Sequence, residues 1–532
     1  MKKIFTSEKI TSKLVVLIAI ISLFMTIGFS ALNQELFIKT NSLVTTPEYS
    51  IYIKDVEAKY TFNGGYVTST PTFNGTETAM YASLPNLDSS IIFNITIKND
   101  GLTSAVLDHT YISLNNSDMK YKLGDISNGK IVKAGYEAIV TIELCYWDNI
   151  TAITNSDFSL LIDFEFVPYK NYNDDCTLAW DGLSTSQPIT RNIYGTDYYA
   201  ISNANEYAWF VNYVNNTANN AKAILTNNIC LNSKSLPQVN TFTGELDGQN
   251  RTISGYNLAT DYSIREGSKK EYTGMFKNNS GIIQNININA SISDRYYIAA
   301  KAWGGAVRLD NWTGGITAEN NGKIINSSVS GSLSGYYELY TSTSGSFKVT
   351  LREYFGAIAG QNKGIIQGCV NKSTMNVGVN SHFSGIAYNR DSGINFGAIT
   401  GSNIGYVIDS YNNSPLSITS YVEKTSDHRL WYGGIVGDNE SESGIISNSY
   451  NAGTISHTED VRGSKDYHIG GAVGKSIGTI TNTYYLDSCG QGGSNGTAIS
   501  SGDLSNINMV IGNYYTKDIR GINGGYPILK WQ

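Results

Sequence analysis

The sequence predicts an all-β protein: a parallel β-helix with a helical N-terminal cap, preceded by a small antiparallel β-sandwich. Three observations carry that prediction. A pattern of glycine, asparagine and aliphatic residues recurs six times between residues 273 and 486. Between residues 48 and 168, apolar and polar residues alternate with a period of two. The 532 residues include 37 Tyr and 53 Gly but only 16% charged residues, a composition that favours sheets and turns over helices. That length exceeds one ordinary core, so several domains are expected.

Residues 1–32 form the first unit. Lys2, Lys3, Lys9 and Lys13 precede an apolar run from Leu14 to Phe29, and Gly28-Phe29-Ser30-Ala31 offers small residues to a signal peptidase. This reads as a secretory signal peptide, or else as an uncleaved membrane anchor. The run is short against the roughly 20 apolar residues of a membrane span. Either way the remainder is expected outside the cytoplasm, extracellular or on a bacterial cell surface. Residues 28–36 resemble the signals of Gram-positive extracellular matrix proteins.

The second unit spans residues 48–168. Ile91 to Lys98 alternate and end in the turn Asn99-Asp100-Gly101; Ile139 to Leu144 and Leu160 to Val167 alternate again. Short strands punctuated by turns predict an antiparallel sandwich. The segment IIFNITIKNDG with the later KAGYEAIVTIEL resembles the immunoglobulin-like modules of bacterial surfaces, which implies a spacer or assembly role. His109 beside Asp108 reads as ordinary loop surface.

The third unit spans residues 172–532. Asn203 with Glu206 three residues on is a helix start, and Tyr207, Phe210, Val211 and Val214 follow at helical spacing. A helix there suits the open end of a solenoid. The repeats then anchor on Asn279, Asn320, Asn362, Asn403 and Asn439, with Ser476 in the sixth copy, at intervals of 36 to 42 residues. Before each anchor stands a small-residue segment, read as a strand, such as Gly314-Gly315-Ile316-Thr317. After each stands a glycine: Gly281, Gly322, Gly364, Gly405, Gly444 and Gly478. Two residues later an aliphatic is expected to point inward: Ile283, Ile324, Ile366, Val407, Ile446 and Ile480. Glycine at a corner permits positive φ and close backbone approach. A stacked asparagine can bond the coils above and below it. The marked residues are therefore expected to be structural.

These copies resemble the GLUG motif of bacterial surface proteins, most closely in Gly433-Gly434-Ile435-Val436-Gly437-Asp438-Asn439 followed by Gly444 to Ile455. The resemblance covers residues 273–486, and less fully 242–532. It implies a right-handed β-helix, a location outside the cell and a role in adhesion. Some relatives carry a metalloprotease HExxH helix; none of His109, His382, His428, His457 and His468 lies in such a motif.

The chemistry visible in the sequence is sparse. A net charge of −7 disfavours nucleic acid as a partner. No cofactor, metal cluster or catalytic constellation is apparent, and Gly492-Gly493-Ser494-Asn495-Gly496 lacks the strand and helix that a nucleophile elbow requires. Five scattered cysteines make no framework, though a bridge such as Cys176–Cys230 is open to the chain. Asp438, Glu440 and Glu442 read as a solvated turn. Aromatic residues cluster between the repeats: Tyr296, Tyr297, Trp303 and Trp312, then Tyr336, Tyr337 and Tyr340, then Trp431. They are the candidate ligand-binding residues, because rigid rings with polar tips suit sugar stacking, unless they pack against the solenoid flank. The expectation is a non-enzymatic adhesin whose partners are glycans or host or community surface proteins, with membrane contact only through an uncleaved N-terminal segment. The alternatives are a polysaccharide lyase or glycoside hydrolase and a structural matrix component.

Overall fold

The computed structural model describes residues 50–532 apart from 102–103, 125–129, 134, 148–149, 169–179, 194, 301–305, 342–347, 384–392, 423–427, 462–464, 494, 507–510 and 520. The N-terminal segment expected to be a signal, Cys176 and Trp303 lie outside the described residues. Two antiparallel sheets come first, one joining Ile51–Phe62, Ser90–Asn99, Glu137–Tyr146 and Met119–Gly124, the other joining five strands from Tyr66–Asn74 to Asp157–Pro168. They form a sandwich-like unit because each strand turns alternate residues inward: Ile91, Phe93, Ile95 and Ile97 meet Leu160, Ile162 and Phe164 in one apolar core. Ser90–Asn99 and Glu137–Tyr146 pair directly.

A parallel β-solenoid of about five turns follows. The coils from Gly267 to Phe383 have four strands each. In the second coil these are a lead strand (Ala306–Gly314), an asparagine strand (Thr317–Asn320), an aliphatic strand (Lys323–Ile325) and a long strand (Ser328–Thr341). Lead strands stack in one sheet, asparagine strands in another, and aliphatic and long strands in a third. The bend between the last two is made by Asn285, Asn326, Gly368, Asp409, Asn448 and Asn482, all at positive φ. Asparagine, aspartate and glycine tolerate that conformation better than other residues.

The corners differ from the sequence reading in two ways. Gly315-Ile316 and its counterparts form the bend between lead and asparagine strands instead of a strand. Gly281, Gly322, Gly364, Gly405, Gly444 and Gly478 lack positive φ. Glycine is required there because a Cβ on Gly364 would overlap the carbonyl oxygen of Gly322 in the preceding coil, and one on Gly405 would overlap that of Gly364. Close approach, not backbone handedness, selects these residues.

Asparagines 279, 320, 362, 403 and 439 are wholly buried and in register. Each side-chain amide donates to the oxygen of the next, at 2.8 Å in all four steps, and Asn439 Nδ2 donates to Ser476 Oγ at 3.0 Å. A second, shorter ladder runs from Asn371 through Asn412 to Asn451, at 2.8 and 2.7 Å. Between the ladders lies the apolar interior, in which Ile283, Ile324, Ile366, Val407 and Ile446 are fully buried and Ile480 is partly so.

Helix α1 (Ala204–Asn216) begins with the Asn203 side chain accepting from Glu206 N, while Glu206 Oε2 accepts from Ser202 N. Its buried Tyr207, Phe210, Val211 and Val214 join the first coils, and the Phe210 and Phe242 rings meet edge-on. Cys230 is disulfide-bonded, while Cys145, Cys369 and Cys489 form no disulfide.

The two units are docked through charged groups. Arg251, 2% exposed, donates from Nη2 to the Asp108 carbonyl at 2.9 Å and pairs with the Asp108 carboxylate. His109 is therefore not loop surface: it is buried at this junction, with Nδ1 2.7 Å from Asp108. Thr110 N donates to Gln249 Oε1 at 2.9 Å, and Lys323 sits 3.9 Å over the Trp147 ring. Burial lowers the Lys323 ammonium to about 8.

Candidate functional site

Strand alternation sorts the aromatic candidates into separate groups. On the long strand Asn287–Ala300, residues 292, 294, 296 and 298 face inward. Tyr296 and Tyr337 are thus wholly buried and stacked at 5.9 Å inside the solenoid, which removes them from any ligand-binding face. Tyr297, one residue on, lies outside and stacks on Tyr340 at 4.8 Å, which stacks in turn on His382 at 4.9 Å. Tyr336 is exposed on the same sheet beneath the Arg295 guanidinium.

Trp312 and Trp431 belong instead to the lead-strand sheet. The pairing register places Tyr272, Trp312, Tyr354, Asn395, Trp431 and His468 in one outward column. Tyr272, Trp312 and Tyr354 stack nearly parallel, with centroids 4.8 and 5.6 Å apart. The fourth coil interrupts the column. Asn395 replaces an aromatic ring there, and Gly393 stands between Arg352 and Arg429 in the neighbouring column. Two small residues between larger ones leave a notch two strand spacings wide, or roughly 10 Å.

That notch is the floor of a 330 Å³ cleft lined by Arg352, Tyr354, Asn395, Arg429, Trp431, Asp438, Glu440 and Lys475. Tyr354 and Trp431 wall its two ends. The Arg429 guanidinium lies 5.8 Å and Lys475 Nζ 4.0 Å from the Trp431 ring centre. The buried Trp431 Nε1 has no hydrogen-bond partner. On the far side, the asparagine strands present Gln361, Ser402, Asp438 and Lys475 in register. Glu440 reaches back across this column and accepts from Gln361 Nε2 at 2.9 Å and Ser402 Oγ at 2.8 Å.

The acidic pair corrects the sequence reading, because Asp438 is only 3% exposed. Burial, with Glu440 beside it, pushes its carboxyl up to about 7, against the opposing pull of Lys475. Burial and the charge of Glu440 likewise hold the Tyr354 phenol up to about 12. The cleft therefore offers two ring faces, two guanidinium groups and a carboxyl pair that can donate and accept. A larger cleft of 760 Å³ lies where Tyr111, Glu165 and Arg191 meet, but there the polar groups already bond one another.

Comparison with protein-family models, with curated proteins and with solved structures finds no match in any of the three. The site must be read from its own chemistry. Sequence reasoning missed Arg352, Asn395, Arg429 and Lys475 as members of one site. The usable signal was position within the repeat, since residues at the same register on successive lead strands share a column and residues two apart on one strand share its face.

Proposed function

We propose that the chain is an exported surface protein of the GLUG-repeat kind whose solenoid binds glycans, with the Tyr354–Trp431 notch as the binding subsite and α1 as the cap of the open end. The interrupted aromatic column carries this reading. Sugar rings present apolar C–H faces and equatorial hydroxyls, so they fit between ring walls and bidentate guanidinium and carboxyl groups. The sandwich then serves as a spacer. On a glycan array, the full chain is expected to bind a restricted set of sugars, and Trp431→Ala to weaken that binding about tenfold or more. Binding unchanged by loss of both Trp431 and Tyr354 refutes the subsite.

A second reading, hydrolysis or lyase chemistry on a bound polysaccharide, is favoured by one observation. Asp438 keeps a proton near neutral pH next to Glu440, the property of a general acid. Turnover of a bound polysaccharide that Asp438→Asn abolishes would select this reading over simple adhesion.

The raised Asp438 carboxyl also bears on stability. Its folded value of about 7 stands above the ordinary 3.8, so between these values the native state holds a proton that the unfolded chain has lost. Stability is expected to decline as pH rises from 4 to 7 and to level off above. Asp247, buried and likewise raised to about 7, adds to the slope. Urea titrations across that range should show a shallower decline in Asp438→Asn than in the parent.

A further inference from the structure

Between the asparagine ladders the described interior is largely apolar, but it holds one pair of buried acids. Between the first and third coils, Asp294 and Glu353, each 1% exposed, face each other across Asn311 and Thr313, which are wholly buried. Thr313 Oγ1 lies 2.7 Å from Asp294 Oδ2 and 3.1 Å from Glu353 Oε1. Thr273 Oγ1 donates to Asp294 Oδ1 at 3.1 Å, and Asn311 Nδ2 is 3.4 Å from Asp294 Oδ2. Among the described residues, no Lys, Arg or His forms an ion pair with either carboxyl.

Two features point to something missing from this set. First, Glu353 Oε2, Asn311 Oδ1 and Tyr296 OH are buried with no hydrogen-bond partner. Buried polar atoms are rarely left so, and three around one pair of carboxyls form an oxygen-lined centre. Second, the polar residues are not imposed by the coil. The register positions of Asp294 continue as Gly335, Val377 and Ile418, and that of Glu353 as Ile394 and Leu430. Aliphatic residues fill the same places in the later coils, whereas the preceding positions are Thr260 for Asp294 and Asn311 and Glu271 for Glu353, so the polar set is confined to the first three coils and two buried acids are a costly departure from the later packing.

We propose that this buried cluster binds one divalent cation of the calcium class through Asp294 and Glu353, with Asn311, Thr313 and Tyr296 supplying neutral oxygens. The two negative charges match one divalent ion. Every available ligand is a hard oxygen, and the absence of nitrogen and sulfur disfavours zinc. Neighbouring oxygens here are about 3 Å apart, the separation found in a shell of ligands at 2.3–2.6 Å. The Asn311 amide now offers Nδ2 to Asp294; rotation by half a turn would present Oδ1 to the ion. An irregular, dehydrated cage also suits calcium better than magnesium, which keeps its waters. The ion would join the long and lead strands of three consecutive coils and would be enclosed as the solenoid folds.

The test is metal content and melting of the full chain after refolding from denaturant, with either calcium or a chelator present throughout. Equimolar retained calcium, and a melting temperature about 5 °C or more above that of the chelated protein, are expected. The double variant Asp294→Val/Glu353→Ile copies the apolar coils and should fold, retain no calcium and melt alike in both conditions. If that variant fails to fold, Glu353→Gln preserves the shape and should weaken calcium binding at least tenfold in a chelator competition. A parent chain that retains no calcium and melts alike in both conditions overturns the proposal. So does unchanged binding in Glu353→Gln.

Discussion

Replacing Asn362 by leucine is expected to cost the solenoid about 3 kcal/mol. Asn362 stands mid-ladder: it accepts from Asn320 and donates to Asn403, and its Nδ2 also meets the Tyr406 carbonyl at 3.0 Å. Leucine fills the volume but leaves the Asn403 oxygen without its amide donor and the Tyr406 carbonyl with one bond fewer, where no water can compensate. Asn279 supplies an internal control. The residue paired with it on the preceding coil is Phe242, so it has only one ladder neighbour and Asn279→Leu should cost less. Urea unfolding followed by circular dichroism measures both. Equal midpoints for the two variants would mean that the ladder has no coupled contribution.

The next largest effect is expected at the junction of the two units. Arg251→Met removes the cation that faces Asp108 and leaves an acid 22% exposed beside buried His109. Breaking a fully buried pair costs about 3–5 kcal/mol; the partial exposure of Asp108 reduces this to roughly 2. The sandwich should then loosen from the solenoid, seen as a larger radius of gyration in small-angle scattering and as separate melting of the two units. Acid acts on the same contact. Burial alone would raise the Asp108 carboxyl, but the His109 hydrogen bond and Arg251 together hold it below its ordinary value. The contribution of this contact is present at neutral pH and is lost as the pH falls through that lowered value. Unaltered scattering and melting in Arg251→Met would show that docking rests on the apolar contacts alone.

What the sequence disclosed follows from what repeats. The ladder asparagines and inward aliphatics recur at fixed intervals, so their stacking was legible without coordinates. The buried acid cluster and the cleft were not, because they are made where the pattern breaks. Asp438 and Glu440 resemble a solvated turn until Gln361, Ser402 and Arg352 arrive from coils some 40 to 90 residues earlier. Tyr296 was misassigned for a simpler reason. It has the same parity as Ile292 and Ile298, and following the period of two through the long strand would have placed it inside and Tyr297 outside. The burial of His109 could not have been foreseen, since Arg251 lies 142 residues further along the chain.

The asparagine ladder has a direction. In every step the amide of one coil donates to the oxygen of the next, so all the side-chain dipoles point the same way. Each coil thus presents an acceptor to its predecessor and a donor to its successor, whatever its place in the stack. A coil could be duplicated or excised, and the new neighbours would still meet donor to acceptor. The number of turns is therefore free to change while the notch, which depends on one particular interruption, keeps its shape.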